Sequence, residues 1–170
     1  MVRTSKAIIS FHDNSFFNCR RHSITERARG LLGVRNSEIL PLPANLCFEG
    51  TGISPDVQSL LVSNPATEIL PIPAGTIWPK PSVFHVRATE TFLDQLAALA
   101  EHHAEPEMCD HFHAYNGLQG LMQWYDAFSG DPLLVDGSIA EAKVQTFCRE
   151  LGVPYARWRW QDSQTRTSPD

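Results

Sequence analysis

The stretch Thr89–His113, TETFLDQLAALAEHHAEPEMCDHFH, decides how the second half of the chain folds. Phe92, Leu96, Leu99 and His103 follow the i, i+4, i+7, i+11 spacing of a helix, and Leu93, Ala97 and Ala100 widen the same apolar side. Thr91 with Asp94 fits a capping box, and Thr89 serves equally well as N-cap. Pro106 lacks an N–H and its ring clashes with the preceding turn, so it ends that helix. It can also open a new helix as the first residue. The expectation is therefore two helices, 90–104 and 106–115, meeting at a corner. Asn116 and Gly117, which tolerate left-handed backbone, close the second one.

If 106–115 is helical, Cys109 and His113 are four apart and share a face, as do Asp110 with His113 and Glu107 with His111. Any such pair offers two ligands suited to zinc, with a third from His102, His103 or, across the fold, His85. The candidate metal set is His103, Cys109 and His113, and zinc is the one cofactor the residues suggest. The plainer reading is a His-rich helix surface with Cys109 as a small buried hydrophobe, because no CxxC or HExxH accompanies the pair. On that reading no cofactor is expected.

The rest of the chain alternates between short apolar runs and capped helical patterns. Lys6–Phe11 reads as a buried strand, followed by a polar loop and a helix from Ser23 to Leu32 with a Ser23/Glu26 capping box. SEILPLPA at Ser37–Ala44 recurs as TEILPIPA at Thr67–Ala74, each after a capped helix, the second being Ser54–Leu61 with Pro55 at its first position. Two helix-then-strand units are expected, with Pro41 and Pro71 ending the strands or holding them to an edge. Leu118, Leu121, Met122 and Tyr125 mark a further helix face. Pro132–Val135 reads as a strand, Ser138 with Glu141 caps a helix lined by Val144, Phe147, Cys148 and Leu151, and Pro154–Trp160 alternates as a last strand. The summed pattern predicts an α/β fold: a small, mostly parallel sheet with flanking helices and a helix-rich insertion in the second half. The alternative is an α+β fold with a helical core. One globular domain, 1–161, and a flexible C-terminal tail, 162–170, are expected.

Composition narrows the function classes. The net charge of −5 argues against nucleic-acid binding, which needs basic surface against phosphates. No run of about 18 apolar residues spans a membrane. Four scattered cysteines suit a reduced, cytoplasmic protein better than a disulfide framework.

A parallel sheet would place ligands beyond the carboxyl ends of its strands, at the loops His12–His22, Asn45–Gly52 and Gly75–His85. The first loop is the richest chemically. His12, Asp13 and Ser15 form the candidate catalytic group, a base, an orienting carboxylate and a nucleophile. Asn45–Gly52 carries two glycines but no phosphate-binding pattern. Arg157 and Arg159 between Trp158 and Trp160 suit a strand edge or an oligomer contact. The reading favours a protein-interaction or regulatory module, with a protein partner or a second copy of the chain as its ligand. The alternative is a small hydrolase using a metal ion or the His12/Asp13/Ser15 group.

Overall fold

A computed structural model describes residues 6–9, 39–103, 106–127, 131–151 and 153–158. In chain order the elements are β1 (Lys6–Ile9), β2 (Ala44–Gly50), α1 (Pro55–Val62), β3 (Ser82–Ala88), α2 (Glu90–Leu99), β4 (His111–Asn116), β5 (Gln119–Trp124), β6 (Leu133–Asp136), α3 (Glu141–Leu151) and β7 (Tyr155–Trp158). The strands form one sheet in the order β3-β2-β4-β5-β6-β1-β7. Every neighbouring pair is antiparallel. The expected mostly parallel sheet is thus overturned. The class is α+β, and the sheet, not the helices, forms the centre of the core.

The decisive stretch begins as helix and ends in the first residues of a strand. Thr89 caps α2, its side chain accepting the Phe92 N–H at 3.2 Å, and Phe92, Leu93 and Leu96 bury one face. The second helix does not form. In HFHAYN the period is two: Phe112 and Ala114 enter the core, and His111, His113 and Tyr115 face the other way. Asn116 pairs with Gln119, so Gly117-Leu118 is a two-residue hairpin turn and not a helix cap. Gly117 sits at φ +53°, as the first position of a type II′ turn requires. The run from Leu118 that was expected to be helical is therefore β5, with a bulge opposite Ala114/Tyr115.

One sheet face carries the core. Leu46 and Phe48 of β2, Val86 of β3, Met122 and Trp124 of β5, and Leu133 and Val135 of β6 meet Val57 and Leu61 of α1, Phe92 and Leu96 of α2, and Phe147 of α3. Phe48 packs edge-on against Phe92 and Phe112, with centroids 6.4 and 5.3 Å away.

The sequence echo does not give two equivalent units. In the first copy Ile39 and Leu40 are core residues leading into β2. In the second, residues 67–74 lie on the opposite face of the sheet with Ile69 exposed. The helix expected at Ser23–Leu32 and the tail at 162–170 lie outside the described residues.

Candidate functional site

Strand alternation that sends Leu46 and Phe48 into the core sends Asn45, Cys47 and Glu49 to the opposite face. There the register lines up three rows. Asn45 lies opposite Tyr115, Cys47 between His85 and His113, and Glu49 opposite His111. A proline-rich strap, residues 66–81, runs along these rows. At one end the Glu68 carbonyl accepts from Asn45 Nδ2 at 3.3 Å and from Tyr115 Oη at 3.2 Å. At the other end the Gly75 and Thr76 N–H groups donate to the two oxygens of Glu49 at 2.8 and 2.6 Å. The middle row, Cys47 and His113, lies between these two fastened rows and is buried, with Tyr125 packed edge-on against His113.

Glu49 is only 2% exposed. A buried carboxylate needs strong donors, and two backbone amides supply them. His111 reinforces this clamp: its Nδ1 accepts the Asp126 N–H at 3.0 Å and its Nε2 meets Thr76 Oγ1 at 3.2 Å. A lone pair at Nδ1 makes His111 the Nε2–H tautomer, donating to Thr76. Gly75 is required for this approach, since a Cβ there would lie 2.5 Å from His111 Cδ2.

His85 takes the opposite tautomer. The Glu68 carbonyl can only accept, so Tyr115 spends its one proton there. The 2.9 Å contact between Tyr115 Oη and His85 Nδ1 is therefore a donation from Nδ1–H. His85 Nε2 then faces the Cys47 Sγ at 3.9 Å as an acceptor. Burial, aided by the Glu49 charge, pushes the Cys47 thiol up to about 12. Cys47 is accordingly a protonated thiol and a poor nucleophile in this arrangement. Burial also lowers the pKa values of His85 and His113. His113 packs edge-on against Tyr125, centroids 5.4 Å apart, and its Nε2 has no hydrogen-bond partner although the residue is 3% exposed.

The residues expected from sequence are dispersed. His12, Asp13 and Ser15 lie outside the described residues. His103 sits between Asp56 and Glu107, Cys109 is in the core, and His113 is on the polar face of β4. The helical face that was to join Cys109 to His113 does not exist. Among the described residues no group of three or more His, Cys, Asp or Glu side chains could hold a metal ion. None of the described helices is long and apolar enough to cross a membrane. Of the ligand loops expected at strand ends, Asn45–Gly52 is mostly strand β2, next to the sheet edge, and Gly75–His85 is divided between the strap and β3. The sequence reading pairs His111 with Glu107 and places Glu49 and Gly75 in separate loops, and it does not bring Glu49, His111 and Tyr115 together beneath one strap segment. The signal was present in the two-residue period of Asn45, Cys47, Glu49 and of His111, His113, Tyr115.

The strap ends in an apolar tip. Ile77 and Trp78, directly after the clamped Gly75 and Thr76, are 93% and 85% exposed. Comparison with known proteins gave no match: no family model fits the chain, and no curated protein or solved structure is similar to it.

Proposed function

We propose that this chain is a protein-binding module whose contact element is the strap tip, Ile77 and Trp78. The observation that carries the reading is their near-complete exposure on a segment held at its base by the buried Glu49 carboxylate. Single exposed apolar side chains are ordinary, but an adjacent Ile-Trp pair on an anchored loop is the form of a binding hot spot. Anchoring lowers the ordering cost of association. The partner is a protein with an apolar cleft and a basic rim, the complement of a chain with net charge −5. The hydrolase alternative rests on a metal ion or on His12, Asp13 and Ser15, and those three residues lie outside the described residues.

The test is native co-purification of the full chain from its own cells, followed by titration with the purified partner. An Ile77→Ser/Trp78→Ser double variant should weaken binding at least about thirtyfold, as expected for hot-spot losses of about 2 kcal/mol or more. Leu118→Ser, at an exposed residue on the β4–β5 turn, should not change it. Binding that tolerates the double variant sinks the reading. So does a chain that co-purifies with nothing and sediments as a monomer. Concentration-dependent sedimentation abolished by the double variant would identify the partner as a second copy.

A further inference from the structure

The strap and the sheet are held by different kinds of contact. No strap residue belongs to the hydrophobic core. Ile69, Ile77 and Trp78 are exposed, and Leu70 and Ile72 are half-buried. What fastens the strap is a set of polar contacts at its two ends: Glu68 with Asn45 and Tyr115, and Gly75 and Thr76 with Glu49 and His111. The sheet beneath is secured by its own ladders and by the core on its other face. Both ends of the strap are tied to β3: Pro65 bridges to Val86, Arg87 N–H donates to Asn64, and the strap runs directly into Ser82. A segment with little apolar burial and adjacent hinges detaches at far lower free energy than the domain it covers.

The closed arrangement also leaves a polar deficit. His113 Nε2 is buried without a partner, and a buried unsatisfied group is a standing cost that water removes on opening. We infer that the strap is a flap that opens as a unit on β3 while the sheet stays folded, uncovering the row Cys47, His85 and His113. Opened, the face presents a thiol, two imidazoles and a Glu49 carboxylate released from its amides, a set that takes small polar, hydrogen-bonding ligands. Closed, Cys47, His113 and Glu49 are buried and His85 is half-buried. The inference concerns the same strap as the proposed function but does not rest on it, and its test requires no partner.

Cys47 is the natural reporter, because it lies on the strap's side of the sheet, between the rows to which the strap is fastened, while Cys109 and Cys148 lie in the core on the other side. Iodoacetamide labelling of the full chain at mildly alkaline pH, read per cysteine by peptide mass spectrometry, separates the cases. Local opening makes Cys47 label at least about tenfold faster than Cys109 and Cys148, at a rate nearly independent of low urea because little surface is exposed. A rigid closed state, breached only by global unfolding, gives Cys47, Cys109 and Cys148 one common slow rate. Gly75→Ala, which drives a Cβ into His111, should raise the Cys47 rate alone. Labelling of Cys47 no faster than the two core thiols, or an equal rise at all three in Gly75→Ala, would overturn the inference. Either result would mean that Cys47 is reached only by global unfolding, and neither would bear on Ile77 and Trp78 as a docking element.

Discussion

His103 Nε2 lies 2.7 Å from Asp56 Oδ2, so one imidazole at the end of α2 fastens the first turn of α1. Its Nδ1 meets Glu107 Oε2 at 3.3 Å, which draws in the segment leading to β4. The hydrogen bond to Asp56 raises the His103 pKa above its ordinary 6.5, and the same bond, with one from Ser54, lowers Asp56 to about 2. The His103 contribution is therefore complete below pH 6.5 and lost as pH rises through its raised folded value. The Asp56 contribution is present above 3.8 and lost as pH falls toward 2. His103→Gln should lower Tm most between pH 3.8 and 6.5 and least in alkali. The drop should be a few degrees at most, because the groups are solvent-screened. Thermal melts of both proteins across pH check this. A deficit that grows as pH rises above 6.5 would contradict it.

His85 and His113 titrate with the opposite sign. Burial lowers their folded pKa values, so their contribution is present above 6.5 and declines as pH falls below it. A His113→Phe variant, which keeps the ring packed on Tyr125, should lose less Tm than the parent on going from neutral to mildly acid pH. Equal losses would show that His113 is already solvated in the folded state.

His85 and His111, on β3 and β4 with β2 between them, hold opposite tautomers on the polar face. His85 carries its proton on Nδ1 because Tyr115 has given its own to Glu68, and His111 carries it on Nε2 because Asp126 donates to Nδ1. Asp126 reaches that position at φ +44°, the only positive φ among the described non-glycine residues. Long-range nitrogen–carbon-bound-proton NMR correlations should resolve the two patterns near neutral pH. Tyr115→Phe should then cost about 1 kcal/mol, the net worth of a typical hydrogen bond, because the half-buried His85 donor loses its partner. Finding both rings in one tautomer would break the assignment.

Two glycines two residues apart should respond differently to alanine. At Gly50 a Cβ would lie 2.5 Å from Ile53 Cγ1, with the Cys109 backbone 3.4 Å behind. Ile53 has to yield, and it packs against the core. Overpacking of that kind costs about 1–3 kcal/mol. At Gly52 the nearest atom is Pro106 Cγ at 3.4 Å, an ordinary contact, so that change should stay within about 0.5 kcal/mol. Urea denaturation of the two variants decides it.

Elements whose identity is local were legible in the sequence. Pro55 opening α1, the Thr89 cap of α2, the short runs at β1 and β6, the apolar face of α3 and the strand β7 appear where their residues place them, although α3 begins at Glu141 and Ser138 does not cap it. The stretch 106–125 was not legible, because its evidence is ambiguous at short range. Pro106 is as good a helix start as a helix stop, and Asn116-Gly117 is as good a cap as a hairpin turn. What settles it is pairing of His113 with Cys47 across the sheet, which no local window contains. Mistaking β4 and β5 for helices removed the strands that make the sheet antiparallel, and it also separated His111, His113 and Tyr115 from Cys47 and Glu49. The strap was obscured for a related reason. TEILPIPA copies the letters of SEILPLPA, but only the first copy buries its Ile and Leu in the core.

Glu49→Gln tests the clamp on which the strap's presentation depends. The carboxylate accepts two amides, one at each oxygen. An amide side chain keeps one acceptor and turns an NH2 group toward the other backbone N–H, so one bond is lost and two donors face each other. Hydrogen bonds to charged groups are worth about 1.5–3 kcal/mol, and the variant should lose about that much stability. The loss should be local in origin: the sheet ladders and the core do not involve the Glu49 side chain, so far-UV circular dichroism should be unchanged. Hydrogen exchange at the Gly75 and Thr76 amides should accelerate while the β2–β4 amides stay protected. If those two amides keep their protection in Glu49→Gln, Glu49 is not what holds the base of the Ile77–Trp78 tip.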